Sequence, residues 1–226
     1  MNQAFLRLIR SGATGEVADA VEADPALAEY RDPQGVSALV WSVYSGEPMV
    51  RDFLRGRLAA RGIALDIFDA ACVGDDARLG EILDADPAAA HAVSGDGWTA
   101  LHLAAAFGAP TGVRLLLERG ARVDAVSNNA QHNQPLHAAL ALGRNAETVA
   151  ALLAAGADAD AAQVGGYTPI FSAATSNRKD LAEMLVAHGA NPHHRNEQGK
   201  SAADFARERG HTDLAAWLDA QQGAAV

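Results

Sequence analysis

Short apolar stretches recur along this chain, each closed by a glycine and followed by a second apolar stretch. The clearest instance is Gly97 to Asp124, GWTALHLAAAFGAPTGVRLLLERGARVD. Leu101, Ala104 and Ala105 fall at helical spacing, and Val113, Leu116 and Leu117 do so again. The pattern predicts two short helices. Thr99 is suited to cap the first, because its hydroxyl can accept from an orphan backbone N–H of the opening turn. Gly108 is expected to end that helix in the left-handed conformation, and Gly120 to end the second. Helices this short cannot bury their apolar faces alone and need neighbours of the same kind.

Aligned on Gly108, the two-helix pattern returns downstream at Gly143, Asn177 and Gly210, and upstream at Gly74, Gly46 and Gly12. The second stop repeats as Gly120-Ala121, Gly156-Ala157 and Gly189-Ala190. A period of ~33 residues with G-x-T-x-L-H-x-A-A resembles the ankyrin-repeat family. The resemblance implies an all-α repeat solenoid of about seven helix-turn-helix units with β-hairpin turns, capped at both ends. The units are expected at approximately 3–31, 32–62, 63–94, 95–126, 127–160, 161–194 and 195–220, forming one domain over 1–220 with a tail at 221–226.

Departures from the pattern carry their own expectations. Unit one lacks the turn but keeps Phe5, Leu8, Ile9, Val17 and Val21 on one side and Arg7 and Arg10 on the other, as an N-terminal cap should. From Glu22 and Asp84 through Leu39 and Leu101, eight of eighteen positions are identical, so units one-two and three-four read as copies of a double unit. Unit three opens into Leu65-Asp66-Ile67 with no G-x-T turn, which predicts an interrupted row of turns and a change of superhelical angle near Gly62. In the 126–134 turn, His132 stands where the glycine would be and Gln134 where the threonine would be; unit five also has one extra residue after Gly143. Arg207 occupies the place of Ala105 and Ala174, marking unit seven as the C-terminal cap.

Charge and composition narrow the function. A net charge of −10 argues against nucleic-acid binding, which wants a basic face, and favours a basic partner. The single cysteine, Cys72, forms no intrachain disulfide, and no apolar run approaches the ~20 residues of a membrane helix. The N-terminus carries no long apolar h-region, so the expectation is a monomeric cytoplasmic protein without membrane association. Because the repeats fill the chain, the expectation is a stand-alone protein, and the Ala- and Arg-rich composition suggests a bacterial source.

Candidate chemistry reduces to structure at most positions. The resemblance implies that His102 and His137 tie adjacent turns together and that Thr99 and Thr168 cap helices. His188, His193 and His194 are the densest histidine group, but adjacent His193 and His194 would point apart, so no metal site is expected. Cys72 lies near a helix C-terminus with nothing to lower its pKa, and reads as a small inert groove residue. There is no phosphate-binding glycine motif, so no cofactor is expected. The resemblance places the residue before the capping Thr and the two before the helix-one glycine on a concave face. Tyr44, Trp98, Phe107, Asn133, Leu142, Tyr167 and Lys200 fall on those slots, with Trp98, Phe107 and Tyr167 on one continuous strip. Aromatic side chains in such positions are the raw material of binding hot spots. The leading expectation is a non-enzymatic adaptor or regulatory subunit that binds a partner protein along the groove. The alternative is an enzyme or small-molecule binder with a pocket at the break between units two and three, lined by Tyr44, Cys72 and Trp98.

Overall fold

The computed structural model describes residues 2–143 and 145–221. The expected tail beyond Gln221 and the extra residue following Gly143 lie outside the described residues. The helices form seven consecutive pairs: α1 (Asn2–Arg10) with α2 (Thr14–Ala23), α3 (Ala38–Tyr44) with α4 (Pro48–Ala60), α5 (Ile67–Val73) with α6 (Asp76–Ala85), and α7 (Ala100–Phe107) with α8 (Pro110–Glu118). The pairs α9 (Pro135–Ala138) with α10 (Ala146–Ala154), α11 (Pro169–Thr175) with α12 (Lys179–Ala187), and α13 (Ala202–Glu208) with α14 (Thr212–Ala220) follow. Among the described residues there is no β-strand. The turns close instead on single antiparallel bridges, Arg31 with Ser37, Val93 with Thr99, Gln163 with Tyr167 and Arg195 with Ser201. The architecture is an all-α repeat solenoid.

Small residues let the first helices of successive pairs pack flank to flank. Ala70 and Ala71, Ala104 and Ala105, Ala173 and Ala174, and Ala202 and Ala203 are all buried. The second helices contribute the volume: Leu116, Leu152, Leu185 and Leu218 are each fully buried and repeat one position of the pattern. At the start of the array Phe5 and Ile9 are buried while Arg7 and Arg10 are exposed. At its end Arg207 is exposed and paired with Asp204 and Asp219, where Ala105 and Ala174 are covered by the next helix pair.

Two local expectations are corrected. Gly108 does not take the left-handed conformation: its φ is −81°. It is glycine because α5 passes close by, and an added Cβ would lie 2.6 Å from the Ala71 carbonyl oxygen. Thr168 stands at the N-cap of α11, yet its hydroxyl caps nothing. The N–H of Phe171 bonds the Thr168 main-chain carbonyl instead (3.1 Å), which leaves the buried Oγ1 without a partner. Thr99 behaves as expected, accepting from His102 N at 3.4 Å.

The turnless third unit shapes the N-terminal half. Asp66 caps α5, accepting from the Asp69 N–H at 2.8 Å. With no turn in between, the turn before α3 meets the turn before α7 directly. Gly95 lies so close to Gln34 that an added Cβ would overlap the Gln34 carbonyl. The row of turns is therefore closed over the gap. Side chains hold this closure from below: Arg31 pairs with Asp66 (2.8 Å) and Asp69 (3.2 Å), and the Ser37 hydroxyl donates to Asp69 at 2.5 Å. Further along, the turns are linked through the main chain, Asn128 N to Gly97 O (2.8 Å), Val164 N to Gln131 O (3.2 Å) and Glu197 N to Gly165 O (3.0 Å). The irregular unit-five turn holds His132 at φ +46°, and its first helix ends in a π turn over Ala139–Gly143, beside the inserted residue.

Candidate functional site

Closure over the missing turn assembles an aromatic cluster from residues far apart in the chain. Tyr44 sits at the end of α3, Trp98 in the turn before α7 and Phe107 at the end of α7. Ring centroids lie 6.3 Å apart for Tyr44 and Trp98, 5.5 Å for Tyr44 and Phe107, and 6.3 Å for Trp98 and Phe107, the last pair nearly parallel. Trp41 joins edge-on to Tyr44 at 5.8 Å. The three central rings are half-buried and line an open cleft of about 370 Å³, completed by Asp96, Asn129, Gln131 and Leu142. Leu142 is 48% exposed and adds an aliphatic edge to the three rings.

Asp96 organises the wall of this cleft. The Tyr44 hydroxyl donates to its Oδ2 at 2.5 Å, and the Ser94 hydroxyl donates to its Oδ1. The amide of Asn129 donates to the Asp96 main-chain carbonyl at 3.3 Å, bringing the unit-five turn to the same point. Burial, and next the Asp96 carboxylate, push the Tyr44 phenol far above its ordinary range, so it remains a neutral donor. Sequence reasoning missed Asp96, Asn129 and Gln131. The signal was available in the absent third turn, which implies that Tyr44 and the turn carrying Asp96 come together.

The other expected site residues separate. Tyr167 packs edge-on to Phe171 (5.4 Å) and Phe205 (5.8 Å), in a second cluster that does not line the cleft. The single continuous strip of Trp98, Phe107 and Tyr167 is thus two clusters, because the unit between them contributes no ring. Asn133 is buried, not presented: its main-chain carbonyl accepts from His102 and its N–H donates to Ser127. Lys200 lies over the Phe205 ring and pairs with Glu208 at 2.6 Å.

Both motif histidines bridge units. His102 accepts the Thr99 N–H at Nδ1 (3.3 Å), so its Nε2 carries the proton and donates to the Asn133 carbonyl at 3.1 Å. His137 does the same between Gln134 N (3.2 Å) and the Ala161 carbonyl (3.0 Å). Burial depresses both imidazoles, that of His102 down to about 4, and keeps them neutral. Cys72 is buried and does not line the cleft; burial raises its thiol well above the ordinary range. His188, His193 and His194 each bond a different main-chain carbonyl, those of Met184, Gln221 and Gly166. Of the cavities around the break, the cleft lined by Tyr44 and Trp98 holds about 370 Å³ and a groove beside Arg57, Ala60 and Arg61 about 400 Å³, both without Cys72, while two smaller ones hold about 140 and 120 Å³. The two smaller ones fall below the ~300 Å³ at which small-molecule sites begin.

Comparison with known proteins agrees with the repeat pattern. A three-copy ankyrin-repeat model matches residues 67–163, and a many-copy ankyrin-repeat model matches residues 170–218. The chain is 34% identical over 127 residues to the transient receptor potential cation channel subfamily A member 1 homolog of Caenorhabditis elegans, spanning 56% of this chain and 10% of that protein. It is 34% identical over 117 residues to the B-cell lymphoma 3 protein homolog of Mus musculus, 50% of this chain and 26% of that one. With the human neurogenic locus notch homolog protein 4 it shares 31% over 157 residues, 70% of this chain and 7% of that protein. The chain spans only a small part of these relatives. All three are eukaryotic, and lend no support to a bacterial source. No helix among the described residues is long and apolar enough to cross a membrane.

Proposed function

This chain is built of ankyrin repeats, and from that premise we propose that it is a non-enzymatic adaptor or regulatory subunit that binds a partner protein along its concave face. The observation that carries this reading is the open cleft in which Tyr44, Trp98, Phe107 and Leu142, from three different units, stand half-buried or exposed, with no covering element among the described residues. Large rigid aromatics at the centre of a contact lose little entropy on binding and supply much of its energy. Tyr167 and Lys200 extend the contact surface toward the C-terminal units as a secondary patch. The adaptor works as a monomer in the cytoplasm, and requires neither a metal nor a cofactor. The test is titration of a partner captured from native cell extract. Trp98→Ala with Phe107→Ala is expected to weaken binding at least about 30-fold, roughly 2 kcal/mol. Unchanged affinity accompanied by a large loss of stability would make these rings packing residues and move the binding surface elsewhere.

A further inference from the structure

The cleft holds a carboxylate that no cation among the described residues neutralises. Asp96 accepts hydrogen bonds from the Tyr44 and Ser94 hydroxyls, both neutral donors. Among the described residues no lysine or arginine forms an ion pair with it. Other carboxylates differ: Asp66 and Asp69 are compensated by Arg31, and Glu208 by Lys200. Asp32 is satisfied by the Gln34 and Val36 N–H groups and the Trp41 indole, and offers no free edge to the cleft. The rings of Tyr44, Trp98 and Phe107 line the same cleft as this carboxylate, with the exposed amide of Gln131 at its edge.

Aromatic faces attract cations through their quadrupole, and a nearby carboxylate adds direct Coulomb attraction. Between the two natural cations, guanidinium suits this combination better than ammonium. It is planar and weakly hydrated, stacks on rings, and can donate in the plane to a carboxylate while doing so. Each Asp96 oxygen accepts one hydroxyl and retains a lone pair. The net charge of −10 steers basic segments toward the chain as a whole. The chain already makes such contacts internally, with Arg10 over the Trp41 ring at 5.5 Å and Lys200 over Phe205 at 5.6 Å. Among the described residues, no cation lies over the rings of Tyr44, Trp98 or Phe107.

We propose that the cleft of Tyr44, Asp96, Trp98 and Phe107 is an arginine-binding site, which receives a single arginine side chain from a basic segment of the partner protein. The inference rests on the reading of this face as a protein-binding surface and specifies the chemistry of its central contact. Leu142 and the Gln131 amide then meet the aliphatic stem and flanking main chain of the bound segment.

The experiment titrates the full chain with three capped tripeptides, Ala-Arg-Ala, its citrulline counterpart and its norleucine counterpart. The readout is the indole N–H resonance of Trp98, assigned through Trp98→Phe against the two other tryptophans. Citrulline keeps the planar shape of arginine and three of its five N–H donors, exchanges one terminal nitrogen for a carbonyl oxygen, and carries no charge. The arginine peptide is expected to move the resonance and to bind about tenfold more tightly than the citrulline peptide. Asp96→Asn keeps an acceptor for the hydroxyls and should bring arginine binding down to the citrulline level, with its thermal melt confirming the fold. Equal binding of the citrulline or norleucine peptide would overturn the arginine site while leaving an uncharged aromatic contact surface in place. Arginine binding undiminished in Asp96→Asn would overturn it as well. No movement of Trp98 with any peptide would also overturn it, whereas the protein-binding reading stands or falls separately on the partner titration with the Trp98 and Phe107 double variant.

Discussion

From the fourth unit onward, neighbouring units are joined at their turns by main-chain hydrogen bonds and by imidazoles donating to carbonyls. Across units two to four the joints are made by carboxylates. Asp69 stands at the helix position that His102 holds in the next unit, but it reaches backward to Ser37 and Arg31, whereas His102 reaches forward to Asn133. The difference has a structural cause. A forward imidazole contact needs a following turn at regular spacing, and a backward carboxylate contact does not. Unit three can therefore lose its turn and still be fastened. The consequence lies on the opposite side of the gap, where Tyr44 and Asp96, 52 residues apart, share a hydrogen bond that a regular array would not allow.

The comparison can first be broken in the regular half. Leu116 is fully buried in α8, and Leu116→Ala should cost about 2–5 kcal/mol in urea unfolding, as buried leucine truncations do. A loss under about 0.5 kcal/mol would show that this helix is not held by its neighbours.

Acid should separate the two kinds of joint by sign. The His102 imidazole is depressed from its ordinary value to about 4 by burial, so its contribution is complete above the unfolded value near 6.5 and is lost as pH falls toward 4. The full loss amounts to about 3 kcal/mol by linkage. His137 is shifted in the same direction. Asp69 is shifted oppositely: burial, and next the Asp66 charge, raise its carboxyl, so its contribution is greatest in acid and declines as pH rises through the raised value. Hydrogen exchange between pH 6.5 and 4 should show protection falling in α7 to α10 before α3 to α6. His102→Gln should flatten the pH dependence of the melting temperature; an unchanged slope would mean that the imidazole is not the group being titrated.

Much of the fold was legible because its cause is local and repeated. The period, the Leu101 and Leu116 spacing and the substitution of Arg207 for a buried alanine each report on a contact with the adjacent unit. What could not be read were contacts that depend on how units close in space. Gly108 looked like a left-handed helix stop but is a close-approach glycine, since α5 lies against it. Thr168 matched the capping pattern, yet a main-chain carbonyl took the donor that its hydroxyl was expected to serve. Tyr44, Trp98 and Phe107 were identified individually, while Asp96 and the separation of Tyr167 followed from the closure over unit three and from an intervening unit without a ring.

A smaller effect sharpens the contrast within the regular half. His132 holds φ +46° in the irregular unit-five turn, where other turns of the row place glycine. Left-handed backbone costs a non-glycine residue roughly 1–2 kcal/mol, and glycine loses part of that gain through unfolded-state entropy. His132→Gly should therefore stabilise the chain by up to about 1 kcal/mol in thermal melts. Destabilisation would mean that the imidazole makes a contact outweighing the strain.

The central claim is that loss of the third turn lets the second and fourth units meet and build the cleft between them. A double-mutant cycle on stability, with Tyr44→Phe and Asp96→Ala, tests it most directly. The hydrogen bond between these residues predicts that the two losses are not additive, with a coupling of about 1 kcal/mol or more. Additivity within about 0.3–0.5 kcal/mol would place the two side chains out of contact and contradict the closure.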